Sequence, residues 1–453
     1  MELLIKQSTF DLLKIGIGPS SSHTLGPMRM AQAFRHRLLE LELPVHKIEV
    51  VLKGSLALTG EGHLTPNAVI AGLLGLDPVL SEIEKIQGAT LEVERNQGFY
   101  LGERFLSANV EGLVKFDKVL SGLRHPNTAH FFAYDANGQV LLDKECCSIG
   151  GGAWLLAEAV KPAGSRTIGE KLSSNAILKF CHENSMSLLD FVYAQEELLT
   201  KMTRIEIQAQ LKKLWHVMKQ AVESGLEQDG YLPGKLNVRR RAKRTRERYL
   251  NRSSQLQKAI PTLAKANIYA LAVSEENASG GRIVTAPTCG ACGVVPGVLY
   301  LLMEELKLLD DAIADSLLIA SLFGNIVVDR ASISGAEVGC QGEVGTACAM
   351  ASAAACFLSG GTNSQIESAA EAALEHHLGL TCDPVMGLVQ VPCIERNAIA
   401  AGTAINSANL ALLGDGDHLI SFDRCVDTLR ETGTDMSDKY KETSLGGLAT
   451  THC

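Results

Sequence analysis

The spacing of apolar residues changes once along this chain, and that change limits its possible folds more than any other feature. Up to Lys144 a two-residue period dominates, with Ile48, Val50 and Leu52 alternating along HKIEVVLKG, which is typical of a strand with one buried face. From about Thr167 onward the pattern is almost wholly helical and rich in Ala and Leu. We therefore predict an α+β protein, with an N-terminal α/β sandwich-like domain followed by a larger all-α domain.

The boundary between the two parts is predicted just after the last strand signal. We assign residues 1–150 to the α/β domain, residues 151–166 to a linker that begins with two glycines, and residues 167–453 to the all-α domain with a C-terminal tail. A chain of 453 residues is long enough for two domains with sizeable cores.

Within the first domain the pattern predicts three local elements. Ala31, Phe34, Leu38 and Leu41 recur at helical spacing, which predicts a helix over residues 27–41 packed on the sheet. A strand is predicted over residues 89–93 and a hairpin at Asn137 and Gly138, where two positive φ angles would form a tight turn.

Charge and hydropathy argue against nucleic-acid and membrane partners. The net charge is −9, whereas phosphate binding needs a basic surface, and the cationic run at residues 239–252 is interpreted as a solvated face. The longest apolar stretches, residues 316–328 and 346–358, are shorter than the roughly 18 to 20 residues of a membrane span and indicate buried helices. The N-terminal residues resemble neither a signal nor a transit peptide, so we expect a cytoplasmic protein.

The chain has twelve cysteines, and three of them, Cys340, Cys382 and Cys393, lie beside Gly or Pro in the last third. Thiolates that bind a cluster commonly occupy such turns. Ten residues separate the latter two cysteines, a spacing that disfavours zinc and suits a [4Fe–4S] cluster with one open iron. Such an iron would stabilise the charge that develops on a leaving hydroxyl. Spacing alone favours three separate buried cysteines.

Four other cysteines have competing interpretations. Cys348 and Cys356 follow at helical spacing in an Ala-rich run and are predicted to be core residues. Cys289 and Cys292 in APTCGACGVVP form a C-x₂-C pair that would suit a redox or metal site, while the surrounding Gly and Pro also fit a loop facing a substrate.

The segment GIGPSSSHTLGP is a candidate anion site at the start of a helix. The hydroxyls of Ser20, Ser21, Ser22 and Thr24, together with exposed amides, would hold a carboxylate or phosphate. An ordinary N-cap with additional serines explains the segment equally well.

Two loop histidines, His23 and His63, are candidates for proton transfer. A histidine titrates near neutrality and can accept a proton at cellular pH. A lone histidine is more often structural, but two in Gly-rich loops of one domain strengthen the functional interpretation.

Five segments, GIGPSSSHTLGPM, GSLALTGEGH, GGRIVTAPTCGACGVVPGVL, SGAEVGCQGEVG and GLTCDPVMGLVQVPCIERNA, together resemble the iron–sulfur L-serine dehydratases in sequence and in order. The resemblance implies Cys340, Cys382 and Cys393 as ligands of a [4Fe–4S] cluster and His63 as the base. It implies a substrate site that contains the following residues: Ser20, Ser21, Ser22, Thr24, Ser55, Thr288 and Gly290. It also implies L-serine as the substrate and a homodimer.

This chain departs from the family pattern at two positions. Cys289 stands where the family has an amide, in APTNGA, and Met386 replaces a small residue in the DPVxG segment.

The sequence supports a specific mechanistic hypothesis. The carboxylate of L-serine binds the loop at residues 20–24, the hydroxyl binds the open iron, and His63 removes the α-proton while His23 orients the substrate. Cys453, the last residue, is predicted to be a displaceable fourth ligand because a terminal residue can reach places that an internal one cannot.

Two alternatives come from other classes. A pyridoxal-phosphate dehydratase would need a Schiff-base lysine and a phosphate cup, which no segment supplies together. A non-enzymatic serine sensor would keep a structural metal site with four protein ligands.

Overall fold

The computed structural model describes residues 4–119, 121–160, 171–252 and 254–451. Its strands are β1 (Ile15–Ile17), β2 (Lys47–Gly54), β3 (Gly98–Leu101), β4 (Arg104–Ser107), β5 (Val114–Asp117), β6 (Asn127–Tyr134), β7 (Val140–Gly150), β8 (Ala153–Leu156) and β9 (Arg282–Val284). The helices of the first part are α1 (Thr9–Leu12), α2 (Gly26–Glu40), α3 (Ser55–Thr59), α4 (Thr65–Leu73), α5 (Ile83–Gln87), α6 (Ala89–Asn96) and α7 (Val110–Leu113).

The second part is helical apart from β9. Its helices are α8 (Ser174–Glu183), α9 (Leu188–Thr200), α10 (Arg204–Glu227), α11 (Ala242–Arg252), α12 (Gln255–Ala259), α13 (Pro261–Ala278), α14 (Val294–Leu306), α15 (Asp310–Arg330), α16 (Gly335–Val338), α17 (Thr346–Leu358), α18 (Asn363–Glu375), α19 (Cys393–Leu413) and α20 (Phe422–Asp435). The predicted α+β class is confirmed.

The first part is built on a mixed sheet in the order β5-β2-β6-β7-β8, in which only the β2–β5 pair is parallel. Strand β2 alternates buried and partly exposed residues, as its two-residue period predicts, and Phe34 on α2 lies 5.3 Å from Phe131 on β6, measured between ring centroids. The sheet extends beyond residue 150, because β8 pairs with the end of β7. The first residues of the predicted linker therefore belong to the sheet.

One local prediction in this part was wrong, and the predicted hairpin is confirmed by the antiparallel pairing of β6 with β7 in all but one φ angle. Residues 89–93 form the start of helix α6 and not a strand; the buried residues Ala89 and Val93 are four positions apart and lie on one helical face. In the hairpin between β6 and β7, Gly138 has a φ of 79°, but Asn137 is not among the described residues with positive φ.

Residues 4–15 pack against the core of the helical part. Leu12 and Leu13 are buried in the core of the helical part, and β1 pairs antiparallel with β9, with Ile15 opposite Val284. The N-terminal segment therefore joins the two parts, a long-range pairing that the local pattern does not predict.

The helical part is organised around α17, whose residues 346–356 are all buried. Its small side chains let α15, α18 and α19 approach closely, since interaxial distances depend on the side chains at the contact. Helix α15 is long and apolar enough to cross a membrane, but 78% of its apolar window is buried in the protein. Cys348 and Cys356 lie on α17 and are buried as predicted.

Candidate active site

Three cysteines from separate turns line one small cavity between the two parts of the protein. Cys340 lies between α16 and a π-helical turn at Gln341–Gly345, Cys382 pairs as an isolated bridge with Lys441 near the C-terminus, and Cys393 is the first residue of α19. All three are buried and none forms a disulfide. The structure thus brings together the cysteines that the sequence singled out.

A partly buried carboxylate lies between two of these thiols. Oε2 of Glu343 is 3.9 Å from Sγ of Cys340 and 3.8 Å from Sγ of Cys382. One donor atom from each of these three residues lies within 4.8 Å of the others, so the group can hold a metal ion. The neighbouring Cys340 thiol and burial raise the pKa of Cys382, and burial raises that of Cys393. Binding a metal there would have to displace protons.

The loop that carries Cys382 is fastened to helix α19 by Arg396. One guanidinium nitrogen donates to the carbonyl of Thr381 at 2.6 Å, and another donates to Oδ1 of Asp383 at 3.0 Å. Both contacts flank Cys382, while Arg396 lies one turn after Cys393. The ion pair therefore holds two of the three thiols at a fixed separation.

The serine-rich loop forms a π-helical turn, Ser21–Leu25, that leads into α2. Ser20 caps this turn, since its hydroxyl accepts from the backbone N–H of His23 at 3.1 Å, and Thr24 donates to the carbonyl of His63 at 2.7 Å. The first amides of a helical turn have no partner within it and favour an anion. The N-cap interpretation is therefore correct for Ser20, and it does not exclude an anion site.

His63 lies between α3 and α4 and has one free ring nitrogen. Its Nδ1 is 3.0 Å from the carbonyl oxygen of Thr59, and because a carbonyl only accepts, the ring proton lies on Nδ1. Nε2 is buried and has no hydrogen-bond partner among the described residues. Burial lowers the pKa of His63 to about 4, so the ring is neutral at cellular pH and Nε2 can accept a proton.

His23 is also fully buried, but both of its ring nitrogens have partners. The Ser55 hydroxyl donates to the carbonyl of Glu442 at 3.0 Å, so it must accept from Nε2 of His23, which is 3.0 Å away. Nδ1 lies 2.9 Å from the Ser22 hydroxyl. The rings of His23 and His63 are 4.4 Å apart between centroids. Burial and the neighbouring His63 keep the pKa of His23 well below its usual value.

Ser55 is positioned by the glycine before it. Gly54 ends strand β2 with a φ of 59°, and a Cβ at this position would lie 2.3 Å from the carbonyl oxygen of Pro126. This left-handed backbone conformation, which only glycine adopts easily, turns the strand directly into α3. Ser55 is thereby placed next to His23.

The segment APTCG, residues 286–290, lies on the side of the cavity formed by the helical part. The Thr288 hydroxyl lies beside Glu343, Gly290 lines the cavity, and Asn397 fixes the carbonyl of Gly290 through a hydrogen bond of 2.7 Å. A Cβ at Gly290 would lie 3.3 Å from Oε1 of Glu343. Glycine at this position therefore allows a close approach to the carboxylate.

The two departures from the family pattern lie outside the cavity wall. The thiol of Cys289 is 3.7 Å from the carbonyl oxygen of Ile17 and, like Cys292, is not among the residues that line the cavity. Met386 is 53% exposed and lies at a neighbouring cleft together with Thr59 and Val389. Cys453 lies outside the described residues.

Two site residues were missed by the sequence analysis, Glu343 and Glu442. Glu343 follows Cys340 by three residues within the Gly-rich segment CQGEVG, a local signal that was available. Glu442 had no such signal, because it reaches the cavity only when the chain end folds back on Cys382, to whose carbonyl its N–H donates at 2.8 Å. Its Oε1 is 3.4 Å from Nδ1 of His23.

Two family models match the chain, one on each part. The model described as the serine dehydratase beta chain matches residues 8–159. The model described as the serine dehydratase alpha chain matches residues 183–449, more than half of the chain.

Three relatives are similar over almost their full length. The L-serine dehydratase of Streptomyces coelicolor is 42% identical over 453 residues, 98% of each protein. The L-serine dehydratase of Mycobacterium tuberculosis is 44% identical over 98% of this chain and 97% of its own length. L-serine dehydratase 1 of Escherichia coli is 41% identical over 98% of each protein. The resemblance inferred from the five motifs is thus confirmed, and this chain belongs to the serine dehydratase family.

Proposed function

We propose that the protein is a lyase that eliminates water from L-serine, with a [4Fe–4S] cluster as cofactor, and that the reaction ends in pyruvate and ammonia. One observation carries this proposal: three buried thiols and one unpartnered histidine nitrogen belong to residues that line the same cavity. The proteins named L-serine dehydratase that match along the whole chain support the same activity.

The donor set fits the cluster. Cys340, Cys382 and Cys393 come from three turns and face one cavity, and thiolates are the usual ligands of such clusters. Three protein ligands leave one iron for the substrate. When bound, the cluster supplies a Lewis acid that stabilises the departing hydroxyl group. No lysine is among the described residues that line the cavity, which disfavours a pyridoxal-phosphate enzyme.

The protein supplies the binding and proton-transfer groups. We infer that the loop at residues 20–24 binds the carboxylate of L-serine through its amides and hydroxyls, with Ser55, Thr288 and Gly290 completing the site. His63 is the base, because its Nε2 carries a lone pair and has no partner among the described residues, whereas His23 is hydrogen-bonded through both ring nitrogens and orients the substrate.

The proposed reaction balances without an external oxidant or reductant. Nε2 of His63 takes the α-proton, the electrons of that C–H bond form the Cα–Cβ double bond, and the Cβ–O bond breaks. The leaving hydroxide takes the proton back from Nε2 of His63 and departs as water, which regenerates the neutral base. The aminoacrylate product then tautomerises to an imine, which water hydrolyses to pyruvate and ammonia.

Anaerobic reconstitution with iron and sulfide, followed by a pyruvate assay on L-serine, tests this function. We expect a broad iron–sulfur absorbance and turnover that depends on it. Deamination by iron-free protein would contradict the proposal, an aldimine band abolished by borohydride would favour a pyridoxal-phosphate enzyme, and a loaded but inactive protein would favour a sensor.

We further propose that Cys453 is the displaceable fourth ligand in the resting enzyme. The segment before it is anchored near the cysteines, since the N–H of Leu448 donates to Oδ2 of Asp383 at 2.8 Å, next to Cys382. Cys453→Ser should therefore change the resting cluster spectrum and shorten the lag before full activity. An unchanged spectrum together with an unchanged lag would contradict this role.

We also infer a cytoplasmic homodimer. On α19 the exposed apolar residues Leu410 and Leu413 lie eleven and fourteen positions after the exposed Ile399, so all three share one helical face. Exposed apolar patches commonly mark protein interfaces. The double variant Leu410→Glu and Leu413→Glu should sediment as a monomer while the wild type sediments as a dimer. A dimer that survives this change would place the interface elsewhere.

A further inference from the structure

The proposed substrate pose assigns two of the three polar groups of L-serine. The carboxylate is bound at the serine-rich loop and the hydroxyl at the cysteine end of the cavity, but the α-ammonium group has no receptor. A cation leaving water needs an anionic or strongly accepting partner, because a buried unpaired charge is costly. The inference below rests on the proposed function and concerns this missing receptor.

Two carboxylates, Glu343 and Glu442, are among the residues that line the cavity, and none of the described lining residues is a lysine or arginine. The cavity wall therefore has an excess of acceptors over cations. It also contains Nε2 of His63, which is buried and without a partner among the described residues. The wall is suited to a ligand that brings its own positive charge.

The two carboxylates have different neighbours in the cavity. Glu343 is next to the Cys340 and Cys382 thiols, where the substrate hydroxyl and its β-carbon would lie. Oε1 of Glu442 is 3.4 Å from Nδ1 of His23, and the metal-donor atoms of His23, His63 and Glu442 lie within 4.8 Å of one another. Glu442 is thus beside the base and the serine-rich loop.

The connectivity of the substrate distinguishes between these two carboxylates. In an amino acid the ammonium group, the carboxylate and the proton to be removed are all attached to the α-carbon. The ammonium receptor must therefore lie next to both the base and the carboxylate site. Glu442 meets this condition, because the Ser22 hydroxyl of the loop lies beside its carboxylate.

The backbone fixes Glu442 from both parts of the protein. Its N–H donates to the carbonyl of Cys382 at 2.8 Å, and its own carbonyl accepts from the Ser55 hydroxyl at 3.0 Å. Its φ of 56° is a left-handed conformation that is costly for a residue with a side chain, and such residues concentrate at functional sites.

We propose that the Glu442 carboxylate binds the α-ammonium group of L-serine and so determines the specificity for an amino acid over a hydroxy acid. A hydrogen bond to a charged group contributes enough that Glu442→Gln should raise the KM for L-serine by about 10- to 150-fold. 3-Hydroxypropanoate has the carboxylate and hydroxyl of serine but lacks the ammonium group. Its inhibition constant should change by less than about threefold, since its binding involves no charged partner at this position.

The test compares these two ligands on the reconstituted holoenzyme, with the cluster absorbance recorded for each variant. Ser444→Ala is the matched control, because Ser444 anchors the same C-terminal segment by donating to the carbonyl of Pro384 at 3.1 Å without lining the cavity. It should leave both constants unchanged. The proposal would be overturned if Glu442→Gln weakened the binding of both ligands equally, or if it left the KM for serine unchanged.

Two further measurements keep the outcome clear. If Glu442→Gln cannot be loaded with iron, Glu442→Asp, which keeps the charge, should be tested instead. It should weaken the binding of serine by a larger factor than the binding of 3-hydroxypropanoate. Equal factors for the two ligands would again reject the proposal. A wild-type protein that binds no iron or yields no pyruvate would reject the proposed function instead. The two failures are therefore distinguishable.

Discussion

His63→Ala should lower the turnover of L-serine by about 10²- to 10⁴-fold, the usual contribution of a positioned general base. The reason is local: His63 lines the cavity, its Nε2 has no hydrogen-bond partner among the described residues, and a pKa of about 4 keeps the ring neutral. The informative measurement is exchange of the α-proton of serine with deuterated solvent. This exchange should disappear in His63→Ala.

His23→Ala provides the comparison, since both histidines are buried in the same cluster. It should also lose turnover, because the contacts to Ser22 and Ser55 are lost, but it should retain solvent exchange. His130→Ala is a control far from the cavity, as His130 lies on strand β6 beside Asp143, and it should change neither quantity. If His23→Ala alone lost exchange, the two roles would be reversed.

Cys382→Ser should abolish cluster binding and lower activity by at least about 10³-fold, because Lewis-acid assistance contributes several kcal/mol to such a step. Cys382, one of the three proposed ligands, joins the cavity to the C-terminal segment through its backbone contacts with Tyr440 and Glu442. Iron content, the cluster absorbance and pyruvate formation should fall together.

Cys348→Ser is the matched control for this experiment. The Cys348 thiol is buried on α17 and donates to the carbonyl of Ala400 at 3.2 Å, a contact that a serine hydroxyl can replace. This variant should keep its iron and its turnover. A Cys382→Ser protein that retained both would contradict the assignment of the ligand.

The sequence predicted the parts of the fold that depend on local periodicity. Strand β2 and helix α2 follow directly from the spacing of Ile48, Val50 and Leu52 and of Ala31, Phe34 and Leu38, and both are confirmed. Residues 89–93 were misassigned because five residues do not distinguish the two periods well. Leu41, predicted to lie on the packed face, is 41% exposed, since the helix ends before it.

The site was only partly predictable, because its residues meet through long-range contacts. Helices α17 and α18 lie between Cys340 and Cys382, so no local spacing rule states that the two thiols share a cavity; the family resemblance supplied that expectation. The tautomer of His63 depends on the carbonyl of Thr59, and the role proposed for Glu442 depends on a segment that folds back from the chain end. Neither can be inferred from the neighbouring sequence.

The return of the C-terminal segment to Cys382 has a consequence for biosynthesis. The N-terminal sheet can form while translation continues, since domains generally fold as they emerge, but Glu442, which lines the cavity, is synthesised after the sheet and after all three cavity cysteines. Assembly of the complete cavity should therefore wait until residue 442 has left the ribosome. A chain truncated before Glu442 should form the sheet but lack a complete cavity.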